Sequence, residues 1–154
     1  MVTTAERYHD ISCGHRVVGH ESACSRLHGH NYRVHFVVAP DNGLDDLGRV
    51  LDFSVIKSRL CMWLEDNWDH KFLAWEEDPL MNAIWAQAGD WENRREDRDM
   101  LRQSIVWVPF NPTAENMAEF LLNTIAPQEL AGTGCKLVEV RIEETRKCSV
   151  TSSL

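Results

Sequence analysis

Along the chain the apolar residues change their period several times, and each change marks an element. Between Tyr8 and His15, the residues His9, Ile11, Cys13 and His15 share one parity, the two-residue repeat of a strand with a partly apolar face. Residues 16–27, with Gly19, His20 and Ser22, carry no period and read as a connection. Alternation resumes over about residues 29–39, with Tyr32, Val34, Phe36 and Val38 on one face and Asn31, Arg33 and His35 on the other. His28 and His30 extend the apolar parity backwards, so they are expected to point inward.

After a turn at Pro40, Asp41, Asn42 and Gly43, the period lengthens. Asp52 is a candidate N-cap for a helix from Phe53 to about Asp66, with Phe53, Ile56, Leu60 and Trp63 or Leu64 on its buried face. Residues 79–104 open with a helix-like piece at Pro79, Leu80, Ala83 and Ile84 and pass into a mixed-charge run from Asp90 to Arg102. Five acids and four bases leave that run little net field, as expected of a solvated helix or loop. Ile105 to Val108 reads as a short strand. Thr113 is a candidate N-cap for a second helix carrying Met117, Phe120, Leu121 and Ile125, and Pro127 is expected to stop it. The last strand is expected from Leu137 to Thr145, with Val138, Val140, Ile142 and Glu144 facing one way and Glu143 the other. An acid on the core side of a strand is costly without a partner. The element order predicts one α+β domain over residues 1–154, with a mainly antiparallel sheet and helices on one face.

At 154 residues the chain is long enough for one hydrophobic core, and 44% hydrophobic with 26% charged residues is the composition of a folded globular protein. A formal charge of -8 argues against nucleic acid or an anionic membrane surface as the main partner and favours a small ligand. No apolar run approaches the roughly 20 residues of a membrane span, and Met1 to Asp10 lacks a signal-peptide core, so a cytoplasmic protein is expected. The five cysteines, Cys13, Cys24, Cys61, Cys135 and Cys148, are odd in number and irregularly spaced. They form no disulfide framework, and at least one thiol is free for chemistry.

The candidate chemistry centres on Cys24, Ser25, Arg26, Leu27, His28, Gly29, His30, Asn31, Tyr32. Two histidines at i and i+2 on a strand share a face, and His15 ends the preceding strand on the buried side. His15, His28 and His30 thus offer three neutral nitrogens, the ligand number of a catalytic zinc site with one open position. Buried histidines that merely satisfy their hydrogen bonds in a core are the alternative. Cys24 has two readings, a fourth ligand closing a structural zinc site or a free thiolate base beside the metal. Asp69 next to His70 offers a carboxylate that can fix an imidazole tautomer and raise its basicity.

The Cys24 to Tyr32 stretch resembles the cysteine and zinc-histidine motif of the 6-pyruvoyltetrahydropterin synthase and 6-carboxytetrahydropterin synthase superfamily. The resemblance continues through His15, through Leu51, Asp52 and Phe53, through Trp68, Asp69 and His70, through Asn111, Pro112, Thr113, Ala114 and Glu115, and through Glu144 and Thr145. These landmarks keep the family order over about residues 8–146. The resemblance implies that His15, His28 and His30 bind Zn2+, that Cys24 is the catalytic base, and that Asp69 and His70 form a proton relay. It implies further that Glu144 anchors a pterin ring and that Thr113 lies in the segment lining the ring pocket. Three residues between Cys24 and His28, rather than a longer gap, resemble the bacterial 6-carboxytetrahydropterin synthases of queuosine and 7-deazaguanine (preQ0) synthesis.

The reaction so implied converts 7,8-dihydroneopterin triphosphate to 6-carboxy-5,6,7,8-tetrahydropterin, acetaldehyde and triphosphate. The alternatives are a 6-pyruvoyltetrahydropterin synthase that keeps the three-carbon side chain, and a non-catalytic zinc- and pterin-binding protein with Cys24 as fourth ligand. The implied architecture is the tunnelling fold, a four-stranded antiparallel sheet with two main helices on one face, joined into a barrel as a trimer or dimer of trimers with sites at subunit boundaries. Two features depart from the family pattern. Residues 78–104 form a charged insertion relative to compact members, and Arg146 and Lys147 stand where small residues are common. Arg26, Lys71, Arg146 and Lys147 are the bases available to a triphosphate.

Overall fold

The computed structural model describes residues 1–154. Strand β1 runs from Ala5 to His15 and β2 from His28 to Pro40. They pair antiparallel along the whole of β1, with Ala5 opposite Val38 and His15 opposite His28. This register puts Cys13 opposite His30. Residues directly opposite each other, and residues two apart on one strand, share a face. One end of the ladder therefore gathers His15, His28 and His30 on a single face, as the alternation predicts.

Four further strands complete the sheet: β3 (Phe72–Trp75), β4 (Ile105–Val108), β5 (Cys135–Glu143) and β6 (Ser149–Ser153). The strand order is β4-β3-β1-β2-β5-β6. Strands β1, β2, β5 and β6 are antiparallel neighbours, while β3 and β4 add in parallel at the β1 edge. The sheet thus has six strands rather than the four expected, although its antiparallel part has four. Pairing rather than pattern makes the additional strands. Phe72–Trp75 is too short to show an alternation, and Ser149–Ser153 has no apolar face to read.

The two main helical units pack on one face, and the two helices that precede β4 pack against Ala74 and Ile105 on the other. The first helical unit comprises α1 (Phe53–Ile56), a π-helical stretch (Lys57–Cys61) and α2 (Met62–Asn67), capped by Asp52, which accepts from the Ser54 N–H. Helices α3 (Pro79–Ala88) and α4 (Arg95–Ser104) precede β4, the first capped by Asp78. The second main unit comprises α5 (Ala114–Phe120), a π-helical stretch (Leu121–Ile125) and α6 (Ala126–Glu129). Thr113 caps it by accepting from the Asn116 N–H at 3.1 Å. Pro127 does not stop this unit, which continues to Glu129. The preceding π stretch shifts the hydrogen-bond register and widens the turn, giving room to a ring that clashes in a regular helix.

Ile11, Tyr32, Val34, Phe36, Val140 and Ile142 from the sheet pack against Ile56, Leu60, Leu64, Trp68, Met117 and Leu121 from the helices. Each such large side chain contributes about 1.5–3 kcal/mol when fully buried, so this face decides the side on which every strand residue lies. In β5 the parity breaks. Leu137 pairs with Val38 and Glu139 with Val37, so Val138 is an extra residue in a β-bulge, and Leu137 rather than Val138 joins the core. The strand also ends at Glu143, leaving Glu144 and Thr145 in the following bend. On the other face His35 spans Glu6 at 2.8 Å and Glu143 at 2.6 Å, tying β1, β2 and β5 together. No helix is long and apolar enough to cross a membrane.

Candidate active site

His15 is the last residue of β1 and only 1% exposed. Its Nδ1–H donates to the Pro112 carbonyl at 2.6 Å, and the Nδ1–H of His28 donates to the Arg26 carbonyl at 2.7 Å. A carbonyl only accepts, so both rings carry their proton on Nδ1 and turn an Nε2 lone pair inward. Those two Nε2 atoms are 3.1 Å apart. His30 adds a third Nε2, buried without a hydrogen-bond partner. One nitrogen from each ring lies within 4.8 Å of the others. Facing lone pairs at such a distance repel unless a cation lies between them, and an unpartnered buried nitrogen costs about 1–3 kcal/mol. A metal ion relieves both. Three imidazoles, two of them oriented by backbone carbonyls, fit a divalent ion that keeps a fourth position open.

Glu144 closes the other side of this cluster. Its Oε1 is 3.5 Å from His15 Nε2 and 3.6 Å from His30 Nε2, and accepts from the Tyr32 hydroxyl at 3.5 Å. The inward acid anticipated in the last strand does point inward, carried there by the bend just past the strand's end. Burial, working against the Pro112 carbonyl for His15 and against Glu144 for His30, holds both imidazoles below their ordinary pKa. They are neutral near pH 7, the form that ligates metal. Burial first, then the nearby Cys13, Glu144 and Cys24 charges, raise the Tyr32 pKa far above the usual phenol value, so Tyr32 remains a hydrogen-bond donor.

Two cysteines lie near the cluster in different environments. Cys13 is buried in the sheet and its thiol is pushed up to about 12, chiefly by burial, which makes it inert. Cys24 is half-buried in a 3-10 turn, Ala23–Ser25. It is near enough for its charge to act on Tyr32 and is absent from the set of mutually close ligand atoms.

Asp69 and His70 pair at 2.7 Å through Oδ2 and Nδ1. They leave α2 alongside the edge of β1, where the Ser12 N–H donates to Asp69 Oδ1 at 2.9 Å and the His70 N–H donates to the Ser12 carbonyl at 2.7 Å. Against the upward push of burial, hydrogen bonds from the Ser12 N–H and His70 hold the Asp69 carboxyl below the usual range. His70 has φ 57, an uncommon backbone for a residue with a side chain, and its ring is 82% exposed. It lies beside Ser12 and Asn31, one residue out of phase with Cys13 and His30, and hence on the sheet face opposite the three histidines. There it lines a cavity of about 750 Å³ together with Tyr32, Asp69, Arg33, Glu144 and Arg146. Glu144 is the junction between this cavity and the histidine cluster. Within one chain the structure brings His15, His28, His30 and Glu144 together, and it keeps His70 on the far side of the sheet.

Thr113 holds its helix cap, and its neighbours do structural work that no local sequence pattern announces. Pro112 supplies the carbonyl that orients His15. Asn111 grips the connection ahead of Cys24, accepting from the Val18 N–H at 3.0 Å and donating to the Val18 carbonyl at 2.9 Å. Alternation places Tyr32 on the apolar face and gives no sign that its hydroxyl reaches His15 Nε2 at 3.2 Å.

Residues 4–153 match the family described as 6-pyruvoyl tetrahydropterin synthase. A Rickettsia felis protein named 6-carboxy-5,6,7,8-tetrahydropterin synthase is 32% identical over 141 residues, covering 92% of this chain and 93% of that protein. A Halobacterium salinarum protein named as a probable 6-carboxy-5,6,7,8-tetrahydropterin synthase is 31% identical over 132 residues, covering 84% of this chain and 75% of that protein. Among solved structures, an uncharacterized Wolinella succinogenes protein superposes with a TM-score of 0.86 at 23% identity, covering 99% of this chain and 98% of that one. The Caenorhabditis elegans 6-pyruvoyl tetrahydropterin synthase superposes with a TM-score of 0.64 at 20% identity, covering 100% of this chain and 96% of that one, which shows a common fold.

Proposed function

The chain belongs to the 6-pyruvoyl tetrahydropterin synthase family, and from that premise we propose that it is a zinc-dependent 6-carboxytetrahydropterin synthase. The substrates are 7,8-dihydroneopterin triphosphate and one water, and the products are 6-carboxy-5,6,7,8-tetrahydropterin, acetaldehyde and triphosphate. The product serves 7-deazaguanine and queuosine synthesis. The observation that carries the metal chemistry is the convergence of three Nε2 atoms, two with their tautomers locked by the Pro112 and Arg26 carbonyls. The choice of the carboxy product is supported by the three residues between Cys24 and His28 and by the names of the Rickettsia and Halobacterium relatives.

In this reading Glu144 accepts the ring and amino N–H donors of the pterin, next to the ring-pocket segment that contains Thr113. The substrate side chain then points toward His15, His28 and His30. Zinc bound there supplies a Lewis acid that polarises the side-chain oxygens and acidifies the adjoining C–H. Cys24, outside the ligand set, takes that proton as a thiolate. His70, held by Asp69, moves protons during rearrangement and carbon–carbon cleavage. Because His70 lies across the sheet from the cluster in its own chain, the relay is supplied at a boundary between copies in a homo-oligomer, a trimer or dimer of trimers. The electrons stay within the substrate, so no redox cofactor enters.

The test compares metal content with turnover in Cys24→Ala. Zinc near one per chain with turnover lost by about 10²–10⁴-fold supports the base; loss of zinc makes Cys24 a ligand and refutes the mechanism.

A further inference from the structure

The segment that carries Cys24 has little packing of its own, yet three successive carbonyls in it are held from outside or by the site. The Cys24 carbonyl accepts from the Val17 N–H at 2.8 Å, the Ser25 carbonyl accepts from Arg16 Nη1 at 2.9 Å, and the Arg26 carbonyl accepts from His28 at 2.7 Å. Of these the Arg16 contact reaches farthest. The remaining face of its guanidinium forms a fork with Asp78, Nε to Oδ2 at 2.6 Å and Nη2 to Oδ1 at 2.9 Å. The Asp78 side chain is 1% exposed and Arg16 15%. Asp78 is fixed in turn, because Oδ1 also accepts from the Leu80 and Met81 N–H groups as the cap of α3.

We propose that Arg16, anchored by Asp78, is a positioning residue that sets the place of the Cys24 thiol relative to the histidine cluster. The inference rests on the reading of Cys24 as the base. A planar, bidentate guanidinium has a fixed direction, and its third nitrogen is thereby aimed at the carbonyl of the residue after the thiol. The start of the charged segment at residues 78–104 thus acquires a function. Its first helix does not touch the reacting atoms, but its cap residue is the rigid post against which the thiol turn is braced. Misplacement of a reacting group by about 1 Å is enough to cost about 10²-fold in rate.

Two variants test this in the full-length, zinc-loaded protein. Arg16→Lys keeps the charge and loses the fork. Arg16→Met combined with Asp78→Asn removes the pair without leaving a lone buried charge and keeps the oxygen that caps α3. In each, amide exchange at Val17, Ser25 and Arg26 is expected to rise at least about tenfold while the β1–β2 ladder is unchanged. Turnover of 7,8-dihydroneopterin triphosphate is expected to fall about 10–10²-fold in kcat, with KM within about threefold and zinc near one per chain. Unchanged exchange in both variants, a loss carried by KM with kcat intact, or a loss of zinc overturns the assignment. Wild-type protein without turnover refutes the reading of Cys24 instead, and the exchange comparison then decides alone whether Arg16 braces the turn.

Discussion

Removing the metal should lower thermal stability by an amount that follows from where its ligands sit. His15 and His28 face each other across an antiparallel ladder, and His30 follows on the same face. Only the folded chain brings the three nitrogens within 4.8 Å of one another. Their preorganisation is local as well, since Pro112 and Arg26 fix two of the rings before any ion arrives. A divalent ion held by these three nitrogens would therefore favour the native state over the unfolded one. At a free concentration 100 times its dissociation constant, it stabilises the fold by about 2.7 kcal/mol. For a chain of this size each kcal/mol moves the melting midpoint by about 2–4 °C, so chelation is expected to lower it by about 5–11 °C. Differential scanning fluorimetry of protein treated with chelator, then with zinc restored, measures the shift. His15→Ala should abolish the metal-dependent part while leaving a folded chain of lower stability. A midpoint indifferent to chelation, or a His15→Ala variant with the full shift, would refute the site.

Three further outcomes are expected. Asp69→Asn keeps an oxygen for the Ser12 N–H and loses the charge that orients His70, so kcat should fall about 10²-fold with little change in KM; a variant with normal kcat removes the relay from the mechanism. A Cβ at Gly29 would meet the Cys13 carbonyl at 3.0 Å, backbone that no rotamer change can move, between the two strand histidines. Gly29→Ala is therefore expected to cost about 1–3 kcal/mol in urea unfolding and to weaken zinc binding in a chelator competition, and wild-type zinc affinity would count against it. Asp78 and Asp69 both titrate below the ordinary carboxylate range when folded, despite the upward push of burial, through hydrogen bonds led by Arg16 and by the Ser12 N–H respectively. Their contribution is complete above the unfolded pKa of about 3.9 and disappears as pH falls through the folded values. Urea midpoints should accordingly drop below about pH 4, less steeply in Asp78→Asn; equal slopes would show that the Arg16 pair carries no linkage.

Much of this could be read from residue order because β1 and β2 have one buried face each. The parity that buries Ile11, Cys13, Tyr32, Val34 and Phe36 also turns His15, His28 and His30 inward, and the structure agrees. Parity fails where one residue is added. The bulge at Val138 moves the core role to Leu137, and no periodic signal announces it. It is silent where pairing alone makes the element, as for β3 and β6, and where a π stretch lets a helix run through Pro127. The side of the sheet on which His70 lies depends on how residues 69–72 run along the β1 edge, a long-range fact. Arg16 and Asp78 are 62 residues apart, and Asn111 and Val18 are 93 apart. Such contacts join parts of the chain whose local patterns are independent, so the candidate site residues are legible in the sequence while the contacts that hold them in place are not.

The most direct measurement is product identity from purified, zinc-loaded protein incubated with 7,8-dihydroneopterin triphosphate. Acetaldehyde, trapped and quantified, is expected in equal amount to 6-carboxy-5,6,7,8-tetrahydropterin and triphosphate. Release of triphosphate without acetaldehyde, leaving the three-carbon side chain on the pterin, would contradict the account.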